Sequence, residues 1–400
     1  MPSAPAGRIR PEPPPTRDEL LGELGRRIGR FDRATARVLR APGRVNLIGE
    51  HTDYNEGLVL PFAIDLEIRI ASAPTDDRTV EITRLDTGET AAFALDAIGE
   101  RRNHWIDYVA GTAWSLQEAG IPLRGARAVI ASTLPPSSGL SSSAALELAS
   151  AWTLARDPEA VDGLRMAQLC QRAENEYVGV QCGLMDQFAS AMGRPGAAVL
   201  LDCRSLEWRA VPLPLERASL VVVHSGSSRT LDGSAYNARR AQCEEAARVI
   251  ARRHPQVRAL RDVTLAMLEE ASGELGAETA RRCRHVITEN ARVLATVEAL
   301  DRGDLDAVGR LLVESHASLR DDFEVSSADL DALVEIATSV PGVFGARMTG
   351  AGFGGCIVAL VRPDAADALG AAVRRDYPAR SGLEPRVWAV SPVAGAGWLA

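Results

Sequence analysis

The sequence contains no lysine: every one of its 45 cationic side chains is arginine. Chemistry that needs a lysine is thereby excluded. A Walker phosphate loop has no candidate for its G-K-[ST] ending, and a protein-kinase fold has none for the lysine that pairs nucleotide phosphates. Aromatic residues are scarce, at 4%, and no basic block interrupts a formal charge of −8. The clustered cations and stacking rings of a nucleic-acid surface are therefore missing. No apolar run approaches the ~18 residues that cross a bilayer. The six cysteines, at 170, 182, 203, 243, 283 and 356, include no C-x-x-C pair. They are expected to be reduced thiols of a cytoplasmic protein rather than zinc ligands or disulfides. The opening MPSAPAGRIRPEPPPTR lacks the apolar centre of a signal peptide, and residues 1–17 are expected to form a disordered tail.

What is present suits a globular protein of two domains, since 400 residues with 46% hydrophobic content exceed one small core. Leu20, Leu21, Leu24 and Ile28 recur at helical spacing, which predicts a helix from Asp18 to Leu39. RVNLIG and EGLVLPFAIDLEIRIASA read as strands around a turn at Asn55-Glu56-Gly57, and TVEITRL with AAFALD as a hairpin. HWIDYVAGTAWSLQEAG reads as a helix closed by Gly120, ARAVIAST as a strand, and a further helix starts near Ser141. LVVVHS opens a second region of strand, Arg/Glu-rich helices and returning strands at GARMTGAGFGGCIVALV and PRVWAVSP. Strands and helices mix without strict alternation, so an α+β fold is expected, divided near 205–220 into units of residues 18–210 and 211–400.

Four clusters bear on function. LPPSSGLSSSAALEL (134–148) runs from strand through a Gly/Ser loop into a helix. Gly139 permits close backbone approach, first-turn N–H groups attract an anion, and Ser141, Ser142 and Ser143 add hydroxyls for phosphate or Mg²⁺. A serine that simply caps a helix fits the same pattern. In APGRVNLIGEHTDYNEG (41–57), Arg44 precedes Glu50, His51, Asp53 and Tyr54, a density of hydrogen-bonding groups suited to a polyol. In ENEYVGVQCGLMDQFASAMG (174–193), Asp186 is either the N-cap of a helix or a base beside a substrate hydroxyl, and Glu174 lies across a glycine-containing bend. Cys182, next to Gly183, is the one cysteine close to these groups. MTGAGFGGCIVALV places glycines between strands, which fits either a hairpin or backbone packed against a ligand.

Together these segments resemble the galactokinases of the GHMP small-molecule kinase superfamily, over nearly the whole chain after the tail. GRVNLIGEHTDYNEG looks like the galactokinase signature and PPSSGLSSSAALELA like the superfamily's ATP loop; LMDQ, AYNARR and ARMTGAGFGGCIVAL follow in family order. The resemblance implies two α+β domains, ribosomal-protein-like then ferredoxin-like, with the active site in the cleft between them. It implies that Glu50, His51, Thr52, Asp53 and Tyr236 bind sugar hydroxyls. Ser137, Ser138, Gly139, Leu140, Ser141, Ser142 and Ser143 would wrap the ATP phosphates, and Ser143 with Glu174 would hold Mg²⁺. Asp186 would be the catalytic carboxylate and Arg44 the fixed cation beside the transferred phosphoryl group, with Gly350–Gly355 supporting the cleft. The implied reaction is phosphorylation of galactose at its anomeric hydroxyl by ATP, in a cytoplasmic monomer without nucleic-acid or membrane partners. A kinase for N-acetylgalactosamine or arabinose shares these motifs. So does a non-catalytic galactose and ATP sensor, but that should have damaged catalytic positions, and Arg44, Glu174 and Asp186 are intact.

Overall fold

A computed structural model describes residues 9–136, 138–227 and 234–399. Helix α1 (Arg17–Ile28) opens on Thr16, whose hydroxyl and backbone exchange bonds with Glu19, and it closes at Gly29, φ 78°. The helix expected to continue to Leu39 stops there, because the glycine turns the chain left-handed and strand β1 (Arg37–Asn46) follows. The chain continues through β2 (Leu58–Val59), β3 (Pro61–Thr75), β4 (Thr79–Arg84), β5 (Thr90–Ala94), α2 (Ile106–Glu118), β6 (Gly125–Ser132), α3 (Ser142–Leu154), α4 (Gly163–Arg172), α5 (Met185–Met192), β7 (Ala197–Asp202) and β8 (Trp208–Pro212). Its second half runs β9 (Ser219–His224), α6 (Ser234–Ala251), α7 (Leu265–Leu275), α8 (Ala277–Arg302), α9 (Leu305–Asp321), α10 (Ala328–Ser339), β10 (Val343–Thr349), β11 (Cys356–Val361), α11 (Ala366–Ser381), β12 (Arg386–Val390) and β13 (Gly397–Trp398).

The strands form a six-stranded sheet ordered β13-β1-β3-β6-β4-β5, a four-stranded sheet β10-β11-β9-β12, and a small sheet β2-β7-β8. The expected mixed α+β architecture is present. The four-stranded sheet is buried on both faces, which explains its unbroken apolar runs: Leu220 and Val222 enter the core shared with the first sheet, while Val221 and Val223 enter a second core under α6, α8, α10 and α11. Helix α1 closes the far face of the first sheet with Leu20, Leu21 and Leu24 against Val38, Ala71 and Val129.

Two chain ends depart from expectation. Ile9, placed in the tail, is buried in the second core, and its carbonyl accepts the Ala389 N–H at 2.6 Å. The Pro15 carbonyl accepts from Arg69 Nη1 on β3 at 2.7 Å. Residues 9–16 therefore lie along the body, because hydrogen bonds and one apolar anchor offset the ordering cost that a proline-rich stretch alone would not meet. At the other end, Trp398 pairs with Leu39, so β13 returns to the first sheet.

Candidate active site

The first sheet, α3, α5 and the second unit enclose a cavity of about 490 Å³. Its floor is built where β1 meets the loop after β6. Gly43 permits that meeting, since a Cβ there would overlap Leu134 and come within 2.6 Å of the Leu140 carbonyl. The Arg44 N–H then bonds the same carbonyl at 3.1 Å. Gly139 (φ 83°) and Ser141 (φ 59°) turn the loop left-handed into α3. Ser141 occupies the N-cap position yet makes no capping bond with its side chain. Its hydroxyl instead donates to Asp186 Oδ2 at 2.6 Å. The N-terminus of α3 thus keeps first-turn N–H groups that no side chain caps, an arrangement that favours an anion.

Asp186 is not a cap either: Leu184 holds that position of α5, and the carboxylate points to Arg44. Arg44, 3% exposed, donates from Nε to Asp186 Oδ1 at 2.8 Å, approaches the same oxygen with Nη2 at 2.7 Å, and donates from Nη1 to the Gly139 carbonyl at 2.6 Å. One guanidinium therefore ties the Asp186 carboxylate to the Gly/Ser loop. Gly139, Ser141, Ser142 and Ser143 line the cavity. Ser138 and Leu140, expected beside them, are buried away from it: the Ser138 hydroxyl has no partner among the described residues, and Leu140 packs in the core. Ser137 lies outside the described residues.

At one end of the cavity Glu50, His51, Asp53, Tyr236 and Gly350 come together. His51 sits at φ 63°, with its ring Nδ1 2.7 Å from the Tyr54 hydroxyl and its centroid 4.6 Å from that of Phe323. Burial, and next the charge of Asp186, push the Asp53 carboxyl up to about 6. Gly183 leaves room for the Asp53 carboxylate, which a Cβ there would overlap and displace. Two residues differ from expectation. Thr52 is fully buried and donates to the carbonyls of Gly49 and Leu58, so it shapes the loop and does not face the cavity. Glu50 reaches the cavity wall, but both carboxylate oxygens are already engaged. Oε1 accepts from Gly350 N–H at 2.7 Å and Thr349 at 3.2 Å, and Oε2 from Asn46 and Arg347 at 2.6 Å each.

Beside Asp186, Glu174 lies on a π-helical turn, Ala173–Val178, and Ser143 and Gln187 hydrogen-bond it. Burial, then Asp186, push its carboxyl up to about 7. Gln187 Nε2 bridges Glu174 at 2.7 Å and the fully buried Glu147 at 3.0 Å. Cys182 rests 3.3 Å from Glu174, and burial raises its thiol far above the ordinary range, which disfavours the reactive thiolate. Asp53, Glu174 and Asp186 line the same cavity as Arg44, and the charge of Asp186 raises the other two carboxyls, a crowding of acids that a divalent cation would relieve. No group of three or more His, Cys, Asp or Glu among the described residues could hold a metal by itself. A hydroxyl plus one carboxylate is the hard-oxygen donor set with which Mg²⁺ is held when phosphates and water complete its shell. Ser143 and Glu174 fit it.

The opposite end is apolar, lined by Ile68, Trp105, Tyr108, Ile130, Leu134 and Leu146, with Arg84 and Asp86 paired at its rim. The sequence reading missed these residues, along with Gly183, Glu147 and Gln187. Trp105 and Tyr108 at i and i+3 of HWIDYV were the available signal.

Comparison with known proteins gives the same answer along the chain. Residues 28–74 match the galactokinase galactose-binding signature, 107–194 the GHMP kinase N-terminal domain and 296–379 the GHMP kinase C-terminal domain. A galactokinase of Chloroflexus aggregans is 45% identical over 371 residues, 92% of this chain and 94% of that one. A galactokinase of Roseiflexus sp. is 45% identical over 361 residues, 90% and 92% of the two chains. The crystal structure of Lactococcus lactis galactokinase complexed with galactose superposes with a TM-score of 0.89 at 34% identity, covering 94% of this chain and 98% of that one. Methanococcus jannaschii mevalonate kinase, at 19% identity and a TM-score of 0.64 over 90% of this chain and all of its own, shares the fold. With the Gly/Ser loop, the His51–Asp53 segment and the Arg44–Asp186 pair around one cavity, and with this degree of identity over nine-tenths of its length, the chain belongs to the galactokinase family of GHMP kinases.

Proposed function

We propose that this protein transfers the γ-phosphoryl group of ATP to the anomeric hydroxyl of galactose, releasing galactose 1-phosphate and ADP. The observation that carries the reading is Asp186, held by Arg44 and Ser141 between the polyol-binding loop and the phosphate loop. We take residues 18–210 as the unit carrying most of the substrate-binding groups and 211–400 as its cover, in a cytoplasmic monomer.

Phosphoryl transfer depends on positioning and charge neutralisation more than on covalent chemistry. The uncapped N-terminus of α3, Gly139 and the hydroxyls of Ser142 and Ser143 receive the phosphates. Of the five N–H groups of a guanidinium, Arg44 donates the one on Nε to Asp186 and one on Nη1 to Gly139, with Nη2 in ion-pair contact with the same Asp186 oxygen. Those with no partner among the described residues would stabilise charge on the transferring group. Glu174 and Ser143 would hold Mg²⁺, which when bound neutralises β- and γ-phosphate oxygens. His51, Asp53 and Tyr236 orient the sugar, and Asp186 accepts the proton of its anomeric hydroxyl. Trp105 and Tyr108 receive the nucleobase. The missing lysine costs nothing, because arginine, backbone N–H groups and serine hydroxyls cover its role.

The test is ADP release by the purified protein with MgATP and, in parallel, galactose, N-acetylgalactosamine, glucose, arabinose or no sugar. Turnover with galactose above all others is expected. Turnover confined to another sugar would move the substrate assignment, and tight galactose binding without ADP would remove the catalytic one.

A further inference from the structure

Behind the sugar loop the two units are joined by a polar network sealed from water. Arg347 on β10 is fully buried, and its Nη1 reaches Glu50 Oε2 at 2.6 Å and the carbonyls of Asn46 and Leu47 at 3.3 Å each. Its Nε donates to Ser315 of α9 at 3.2 Å, and that hydroxyl donates to Glu289 Oε1 of α8 at 2.6 Å. The same Glu289 oxygen accepts the Gly49 N–H at 3.0 Å, while His285 Nε2 lies 3.1 Å from the Glu50 carbonyl. Glu289 is buried, which alone would raise its carboxyl, but Arg292, His285 and Arg347 together hold it down at about 2. Arg347, Glu289 and His285, linked to one another within the second unit, each reach residues 46–50, immediately before His51 and Asp53.

Burying this many charges is a poor route to stability, since apolar packing of equal volume commonly does as well. What a planar guanidinium fork and a fixed carboxylate supply is geometry. The Glu50 carboxylate, with donors filling both oxygens, has little left for a ligand, whereas its backbone and that of Gly49 are clamped from outside the loop. We propose that Arg347 and Glu289 are positioning residues, which act through Glu50 and the Gly49 backbone to set the sugar loop from the opposite unit. The proposal rests on the reading that this loop binds the sugar.

The experiment compares Arg347→Met, Arg347→Lys and Glu289→Gln with wild type by steady-state kinetics, varying each substrate, and by hydrogen exchange across residues 44–57. Expected is a rise in galactose KM of about tenfold or more in Arg347→Met, with ATP KM within about twofold of wild type, partial recovery in Arg347→Lys, and faster exchange confined to the loop. Native variants with unchanged galactose KM, or with both KM values rising together, would overturn the proposal. Should Arg347→Met fail to fold, Glu289→Gln decides, because it keeps volume and one acceptor while removing the charge. Asp53→Asn is the control: no loss of galactose affinity there would remove the sugar-loop reading itself.

Discussion

Replacing Asp186 with asparagine isolates its charge from its shape. The side chain accepts the Arg44 Nε–H on Oδ1 at 2.8 Å, with Nη2 in ion-pair contact with the same oxygen at 2.7 Å, and the Ser141 hydroxyl on Oδ2 at 2.6 Å. An asparagine can leave its carbonyl oxygen toward Arg44 and turn its NH₂ toward Ser141, whose hydroxyl rotates to accept. The hydrogen-bond count therefore survives. What is lost is the countercharge of an arginine only 4% exposed in its side chain. Hydrogen bonds to charged groups contribute about 1.5–3 kcal/mol, and as the bonds persist in weaker form, a stability loss of about 1–2 kcal/mol is expected. Turnover should fall much further, by ~10²–10⁴-fold, the usual contribution of a positioned general base. The assay pairs ADP release under saturating galactose and MgATP with calorimetric binding of the nucleotide, which the substitution should leave within a few-fold of wild type. A variant that binds nucleotide normally and turns over within about tenfold of wild type would refute proton acceptance by Asp186, leaving it as an anchor for Arg44 alone.

Three further outcomes follow from particular contacts. Gly183→Ala drives a methyl group into the Asp53 carboxylate, so galactose KM should rise by about tenfold or more through displacement of that side chain, with nucleotide affinity unchanged by calorimetry. Because burial and then Asp186 raise Asp53 to about 6, and its ionised form is the one that accepts sugar hydroxyls, kcat/KM for galactose should decline as pH falls through about 6 in wild type; a profile flat down to pH 5 would separate Asp53 from sugar binding. In Gly309→Ala, the new Cβ overlaps the Phe344 carbonyl where α9 lies directly on β10, so chemical denaturation should show a loss of about 1–3 kcal/mol or more, against a gain of about 0.5–1 kcal/mol for Gly273→Ala, which meets open space within α7.

The chemistry was legible in the sequence where it is concentrated in short segments. Arg44 to Asp53, Gly139 to Ser143 and Glu174 to Asp186 each bring several functional groups into a dozen or so positions, and the structure places most of them around one cavity. Local reading could not choose between cap and ligand for Ser141 or Asp186. That choice depends on whether the side chain turns back to its own helix or across to another element, and Ser141 and Asp186, 45 positions apart, turn to each other. The same limit explains Thr52 and Glu50. Their residue types suit sugar hydroxyls, but Thr52 is consumed by its own loop, and Glu50 by donors that include residues almost 300 positions away.

Helix ends and chain ends failed for a related reason. The 3.6-residue period of α1 was correct, but the spacing of Leu20, Leu21, Leu24 and Ile28 does not itself say where the helix ends; Gly29 at φ 78° does. Ile9 and Trp398 sit in stretches too short and too irregular to carry a period, and each acquires its conformation from a strand at the other end of the chain. The network around Arg347 is the extreme case: a fully buried arginine on a strand of apolar neighbours carries no local sign of its partners. Its position is intelligible only once β1 delivers Asn46 and Glu50 into the second unit, where an unpaired buried guanidinium would otherwise be too costly to keep. Residues proposed to touch the substrate lie in dense local clusters, whereas those proposed to aim these clusters are dispersed along the chain, and the dispersed ones are what a fold adds to a motif.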